Sequence, residues 1–436
     1  MPPLRDLVAV LAVPALLASA GLLTPAVLAQ DCEPTDLFAS EVLYDTGDSP
    51  FAVAIGDLDG DGDADLALGN VRSDNVSVLL NNGDGTFASD VLYRTGEIPR
   101  SVAIGDLDGD GDADLAVAND GSDNVSVLLN NGDGTFAEDA HYGTGLDPAS
   151  VAIGDLDGDG DADLAVANLG SDSVGVLLNN GDGTFATQVP YEVGRIPLSL
   201  AMGDLDGDGD ADLAVANFRS NNVSVLLNNG DGTFAANVLY GVGDGPWFVA
   251  IGDLDSDGDG DLTVANRDSD NASVLLNNGD GSFAEDTVYG ASNRPYSVAI
   301  GDLDGDGDAD LAVVNDGIGN VSVLLNNGDG TFAEDVLSDV GSISRSVVIG
   351  DLDGDGDGDL AVANQFDDNV SVLLNKCGPF GCPADLDGDG ALTIFDFLAF
   401  GNLFDLMDPA ADFDGDGEFT IFDFLAFQNA FDVGCP

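Results

Sequence analysis

Basic side chains are almost missing from this chain. Its 436 residues hold 10 Lys and Arg together and one His, against 81 Asp and Glu, for a formal charge of −71. Such a polyanion repels nucleic acid and anionic lipid, which excludes both as partners, and it repels itself unless cations sit at fixed places. Disorder is excluded too, because 44% of the residues are hydrophobic and they follow strand patterns. Catalytic bases are equally scarce. His141 and Lys376 are single, and neither a Cys–His nor a Ser–His–Asp arrangement emerges. His141 stands beside Tyr142 in one repeat alone and reads as a surface residue.

Cysteine is rare. Cys32, Cys377, Cys382 and Cys435 all lie outside the repeated part, and an even count in an exported chain implies two disulfides. A long apolar run occurs once, from Leu7 to Leu23, behind Arg5 and before the small-residue site Val27-Leu28-Ala29. Residues 1–29 read as a secretory signal peptide. The rival reading, a membrane anchor, is disfavoured because the run is short for a span and contains Pro14. Cys32 lacks a lipobox-like context, which argues against lipidation.

What the chain has in abundance is Asp, spaced by Gly. Gly-Asp-Leu-Asp recurs at 56, 105, 154, 203, 252, 301 and 350, every step 49 residues. An ungapped period of this length means a repeat architecture. One unit reads as four short strands: Ser101–Ile104, Leu115–Ala118, Val125–Leu129, and a fourth from Thr135-Phe136 to near Tyr142. Asn130-Asn-Gly-Asp-Gly134 between the last two is a tight hairpin of residues that tolerate positive φ. Four strands per unit match a propeller blade; a solenoid, the alternative, would need polar caps. The ends argue for closure. Phe38–Tyr44 is a fourth strand with no blade before it, and the last repeat stops after its third strand, Val370–Leu374. The N-terminal strand should therefore complete the last blade and remove an open edge. Phe38, Phe87, Phe136, Phe185, Phe234, Phe283 and Phe332 then give one core Phe per blade.

Each unit carries an acidic loop. Asp57, Asp59, Asp61 and Asp65 occupy positions 1, 3, 5 and 9, and Asp63 at position 7 should offer its backbone carbonyl. This wraps a hard cation in oxygens, as the first part of an EF-hand loop does, but position 12 is Leu68, already in a strand. The loop is thus a β-loop-β calcium site. Its copies are Asp106, Asp108, Asp110, Asp112 and Asp114; Asp155, Asp157, Asp159, Asp161 and Asp163; Asp204, Asp206, Asp208, Asp210 and Asp212; Asp253, Asp255, Asp257, Asp259 and Asp261; Asp302, Asp304, Asp306, Asp308 and Asp310; Asp351, Asp353, Asp355, Asp357 and Asp359. Magnesium fits less well, since it prefers a smaller octahedral shell rich in water. Asn-x-Ser sequons begin at Asn75, Asn124, Asn222, Asn271, Asn320 and Asn369; their periodicity follows the turn before the third strand, so they read as turn chemistry, with glycosylation the alternative.

Through GDLDGDGDADL and VSVLLNNGDGTF the chain resembles the FG-GAP/VCBS repeat family, best known from integrin-type propellers, over roughly residues 38–375. The resemblance implies an all-β, seven-bladed propeller of four-stranded blades with about seven calcium ions. Members span adhesion, lectin-like binding and some polysaccharide lyases, so the family fixes the fold better than the function.

After Gly381 the period changes. Asp385, Asp387, Asp389, Ala391, Thr393 and Asp396 fall at loop positions 1, 3, 5, 7, 9 and 12, and Asp412, Asp414, Asp416, Glu418, Thr420 and Asp423 repeat them 27 residues later. Apolar helices are expected at 394–404 and 421–431. This tandem is similar to a dockerin, which implies two further calcium ions and a cohesin-like partner met by Ile394, Phe395, Ile421 and Phe422. The alternative is that these side chains pack the two helices together. The expected organisation is a signal peptide at 1–29, the propeller at 30–376 and the small helical module at 377–436.

Between the invariant stretches the units diverge at two places. One precedes the first strand: Phe51, Arg100, Ala149, Leu198, Trp247, Tyr296 and Arg345. The other is the turn between second and third strands, including Arg72, Phe218, Arg219, Arg267 and Phe366. In a meander both lie on one face, opposite the acidic loops, and the first set rings the channel mouth. Phe51, Arg100, Trp247, Tyr296 and Arg345 are the candidate ligand contacts, through stacking and Arg–anion pairing. The functional expectation is a secreted, monomeric calcium propeller that binds an extracellular glycan or protein. The alternatives are a polysaccharide lyase, with Tyr296 as base and Arg100 or Arg345 neutralising a uronate, and a scaffold of a surface layer. Alignment by repeats sets Cys32 against Asn81 and Cys377 against Gly83, so Cys32–Cys377 should close the ring and Cys382–Cys435 the C-terminal module.

Overall fold

The computed structural model describes residues 37–376, Ile318 excepted, together with Phe400. The expected signal peptide, all four cysteines and, Phe400 apart, the expected C-terminal loops and helices, Asp385 to Asp423 included, lie outside the described residues. Among the described residues twenty-eight strands, β1–β28, form seven four-stranded antiparallel sheets. Blade 1 holds β2 (Pro50–Gly56), β3 (Asp65–Asn70), β4 (Asn75–Leu79) and β5 (Val91–Arg94) in sequence order. Blades 2 to 6 repeat it. Blade 7 takes β26 (Ser344–Gly350), β27 (Asp359–Asn364) and β28 (Asn369–Leu373), and its fourth strand is β1 (Val42–Asp45). Val42 faces Val372 and Tyr44 faces Val370 across that pair. The expected closure by the N-terminal strand is what the fold uses.

The second strand of each blade reads as a nearly unbroken apolar run because both its faces are covered; all six residues of β3 are buried. Seven apolar cores fill the spaces between adjacent blades rather than within one. Leu58, Val76 and Val78 of blade 1 meet Val102, Val117 and Phe136 of blade 2. The core between blades 7 and 1 has the same make-up, with Val370 and Val372 against Val53, Leu66 and Phe87. Close approach at the axis depends on glycine. A Cβ on Gly56 would stand 3.0 Å from Ile104 of the next blade, and one on Gly350 would stand 2.4 Å from Ile55, which completes the circle.

The core Phe positions are confirmed. Each is buried, and against six of them an outer-strand Tyr of the preceding blade packs edge-on, as Tyr44 does on Phe87 at 5.3 Å and Tyr93 on Phe136 at 5.2 Å; for Phe38 the equivalent position is Ser338. The fourth strand differs from its expected course. Phe136 makes one isolated bridge to Asn130, and the strand resumes at Ala140–Gly143. In between, Ser126 Oγ donates to the Asp139 carboxylate at 2.9 Å, a side-chain bond where ladder bonds were expected.

Candidate functional site

The acidic loops and the hairpins share one face. At position 9, Asp65 is fully buried at the start of β3, and its Oδ2 accepts from the Leu58 N–H at 2.8 Å while Oδ1 accepts from the Asn81 N–H at 2.7 Å. At position 1, Asp57 accepts from the N–H groups of Gly60 and Gly62, folding the loop over itself. The glycines at loop positions 4 and 6 have positive φ, near 77° and 97° in the first loop, and Ser256 takes the same left-handed region in blade 5 at 61°. In the first loop oxygens of Asp57, Asp59 and Asp61 lie within 4.8 Å of one another, and in blades 2 to 5 the same holds for positions 1, 3 and 9. The position-7 carboxylates behave differently: Asp63 lies against the hairpin Gly83 and Asp112 against Gly132, which suits a backbone role for that residue.

This donor set fits a hard divalent cation on two observations. It is made of oxygen alone. The Oδ1 atoms of Asp206, Asp255 and Asp353, all at position 3, are buried with no hydrogen-bond partner among the described residues, an arrangement that costs free energy unless something accepts their lone pairs. The electrostatics agree. Burial, with the backbone donors partly opposing it, pushes Asp65, Asp114, Asp163, Asp212, Asp261 and Asp359 up to about 6 and Asp310 to about 7. Burial and the neighbouring position-5 charge push Asp304 to about 6.

A pH dependence follows. The metal-free folded chain holds protons that the unfolded chain, with carboxyls near 3.8, has released. Its stability therefore rises as pH falls from above 6 toward 4. A cation needs the ionised form, so its affinity falls over the same window. The gain in unfolding midpoint on adding calcium should accordingly shrink between pH 7.5 and pH 5, as scanning calorimetry would read. A gain independent of pH across that range would contradict the assignment of the position-9 carboxylates as ligands.

One feature of this face escaped sequence reasoning. The first Asn of each hairpin is a staple between blades, not turn chemistry alone. Asn130 Nδ2 donates to Ala113 O of its own loop at 2.8 Å and to Leu58 O of the preceding blade at 2.7 Å. Asn81 does the same to Leu352 O of blade 7 at 2.8 Å. The doubled Asn was the signal available. The sequon asparagines have a related fate. Asn75 Oδ1 accepts from Asn70 Nδ2 at 2.8 Å, and the same Asn70 group donates to Ser77, so the turn-chemistry reading describes their place.

On the opposite face the 4→1 connections meet the 2→3 turns. The Val71 N–H donates to Ser49 O, and the Asp120 N–H to Ile98 O. Six of the seven connections are also held by a left-handed Asp or Asn of the preceding blade, as Asp74 accepts from the Ile98 N–H at 3.0 Å and Asp368 of blade 7 from the Ser49 N–H at 2.8 Å; in blade 6 that position is Gly319. On this rigid rim five of the seven mouth residues form one network. Phe51 meets Tyr296 edge-on at 5.9 Å, and Tyr296 meets Trp247 at 4.4 Å. Arg345 covers Tyr296 at 4.3 Å and Phe51 at 5.9 Å, and Arg100 covers Phe51 at 5.6 Å. Ala149 is buried and Leu198 half-buried. From the turns, Phe218 meets Trp247 edge-on and Arg267 lies over the same indole at 5.1 Å. Arg72, Arg219 and Phe366 stay exposed. Tyr296 is 4% exposed, and its burial raises the phenol pKa further from use as a base.

The acidic and polar partners of these arginines were missed. Asp120 pairs with Arg100 at 2.6 Å, Gln365 accepts from Arg345 Nε at 2.6 Å, and Asp316 faces Arg294 at 3.2 Å and Arg345 at 3.3 Å. Residues 71, 120, 169, 218, 267, 316 and 365 are one repeat position, so the 49-residue step could have revealed this second ring.

The FG-GAP-like repeat model matches residues 57–117, 106–166, 155–215, 204–264, 253–313 and 302–362. The chain belongs to the FG-GAP-like repeat family. No curated protein matches it. Among solved structures this FG-GAP-like propeller is similar to BBS1N in complex with ARL6DN, with 13% identity, 77% of this chain and 98% of that chain covered, and a TM-score of 0.56. It is similar to virginiamycin B lyase from Staphylococcus aureus, with 12% identity, 77% and 99% covered, and a TM-score of 0.54. At these identities the likeness concerns the fold alone. An Agrocybe aegerita lectin, described by its recognition of non-reducing terminal N-acetylglucosamine, is 26% identical over 66% of this chain and 80% of its own, at a TM-score of 0.49. Among the described residues no helix is long and apolar enough to cross a membrane.

Proposed function

We propose that this FG-GAP-like chain is an exported, calcium-loaded propeller that binds an extracellular ligand at its channel mouth and is tethered through its C-terminal dockerin-like module. The observation that carries the reading is the convergence of Phe51, Arg100, Trp247, Tyr296 and Arg345, from five blades, into one contact network. Elsewhere the units repeat one another closely. Calcium, held by the seven acidic loops, acts structurally: its two positive charges offset part of the five carboxylate charges of each loop and join the first strand of each blade to the second. Binding is preferred over lyase chemistry because the phenol available as base is buried beneath Arg345.

The test is a calcium-saturated pull-down from the native envelope, or a glycan array, with the full chain and with Trp247→Ala combined with Tyr296→Ala. The variant should lose the ligand while keeping the calcium-dependent part of its unfolding midpoint. Capture at wild-type level would place the ligand elsewhere on the molecule.

A further inference from the structure

We infer that the channel mouth is an anion site that takes one carboxylate or sulfate group of the ligand; the inference rests on the mouth being where the ligand binds. Ten basic residues are spread over the whole chain, yet four of them, Arg100, Arg267, Arg294 and Arg345, gather here. The aromatic rings do not lie free for stacking on a sugar. Trp247 is engaged by Tyr296, Phe218 and Arg267, and Phe51 by Tyr296, Arg100 and Arg345. Their role is to hold guanidinium groups by their flat faces, which leaves the in-plane N–H edges to recognise a planar or tetrahedral oxyanion.

Those edges are under-used. Each guanidinium carries about five N–H donors. Among the described residues Arg294 has one acidic partner, Asp316 at 3.2 Å, and Arg100 has one, Asp120 at 2.6 Å. Arg267 reaches Asp268 at 3.4 Å and Asp316 at 3.9 Å, while its Nε is buried with no hydrogen-bond partner among the described residues. Asp316 is itself an internal example of what the cluster accepts: one carboxylate faced by three guanidinium groups. Within the ion pairs themselves four arginines meet Asp120, Asp268 and Asp316, which leaves one guanidinium charge unmatched beside the further rim carboxylates Asp123, Asp147 and Asp270, in a chain whose total is −71. That imbalance selects the size of the anion. A single anionic group gains from the mouth, whereas a long polyanion would run over the acidic surface around it, within the ~8 Å reach of charge at physiological salt. The site therefore suits an anionic group at a chain end or on a small molecule.

The experiment is calorimetric titration of the calcium-saturated full chain with sodium glucuronate, glucose 6-sulfate and glucose. Binding of glucuronate, of glucose 6-sulfate or of both is expected, with none for glucose; which charged sugar binds identifies the group. Arg294→Gln, at an arginine 44% exposed, should weaken that binding at least tenfold without disturbing packing. Arg345→Gln, which also removes the guanidinium packed over Tyr296 and Phe51, should weaken it at least as much. Glucose binding as tightly as the charged sugars, or charged-sugar binding unchanged in both variants, overturns the inference. So does wild-type chain that binds neither charged sugar. If that occurs while the Trp247→Ala, Tyr296→Ala variant still loses its captured ligand, the anion assignment fails and the mouth stands as the ligand site; if that variant keeps its ligand, the mouth reading fails with it.

Discussion

Removing calcium should lower the unfolding midpoint by about 20 °C or more. A ligand held at a hundred times its dissociation constant contributes about 2.7 kcal/mol per site, so seven loops together supply on the order of 15–20 kcal/mol. In a domain of 150–250 residues 1 kcal/mol moves the midpoint by about 2–4 °C, and this larger ring moves less per kcal/mol. The metal-free state is also under tension of its own making. In each of the five loops already described three carboxylates approach within 4.8 Å, where like charges repel, and the buried position-3 oxygens of Asp206, Asp255 and Asp353 have no hydrogen-bond partner among the described residues. Calorimetry in calcium and in EDTA reads the effect. Equal midpoints would show that the loops are acidic turns without a structural ion.

Deleting residues 1–45, and with them β1, should abolish the single cooperative transition and send the chain into aggregates. The deletion strips Leu37 and Phe38, 2% and 8% exposed, from the core between blades 6 and 7. It exposes the edge of β28 as a template for pairing with other chains. It also removes the Ser371–Glu41 hydrogen bond and the Ala39-to-Leu374 and Lys376-to-Leu37 backbone bonds. Calorimetry with size-exclusion chromatography tests this, and a monomeric truncated chain melting at the wild-type midpoint would refute it. A graded version is Phe38→Ala, which should cost about 3–5 kcal/mol. Cys377 directly follows Lys376, whose N–H donates to Leu37 O at 2.8 Å, and Cys32 precedes Leu37 by five residues. Five residues of extended chain span up to roughly 17 Å, so a Cys32–Cys377 bond is within reach. It would add about 3–5 kcal/mol in the chain-entropy picture. Non-reducing peptide mapping should find this pair and Cys382–Cys435.

Much of the fold was legible because the repeat writes it seven times. The blade count came from the 49-residue step, and closure came from an orphan Phe38 at one end and a missing fourth strand at the other. The acidic loops were legible for the same reason: ligand spacing within one loop is a local property of the chain. Phe38 even keeps its repeat role, bridging Asn375 as Phe87 bridges Asn81. What failed to show was whatever depends on the neighbouring blade. The hairpin asparagines read as turn formers, and only the packed ring turns Asn130 toward Leu58 of another unit.

The mouth marks the same boundary most sharply. Sequence singled out Phe51, Arg100, Trp247, Tyr296 and Arg345 by divergence against a uniform background. It could not say that Tyr296 would be buried, that both Trp247 and Phe51 would be clad by guanidinium groups, or that Asp316 would gather three arginines from three blades. Short-range spacing determined the strands and the acidic loops with their clustered carboxylates, because those depend on residues a few positions apart. The character of the channel mouth was decided only by tertiary structure, because residues separated by one to six repeats become neighbours there only when the ring closes.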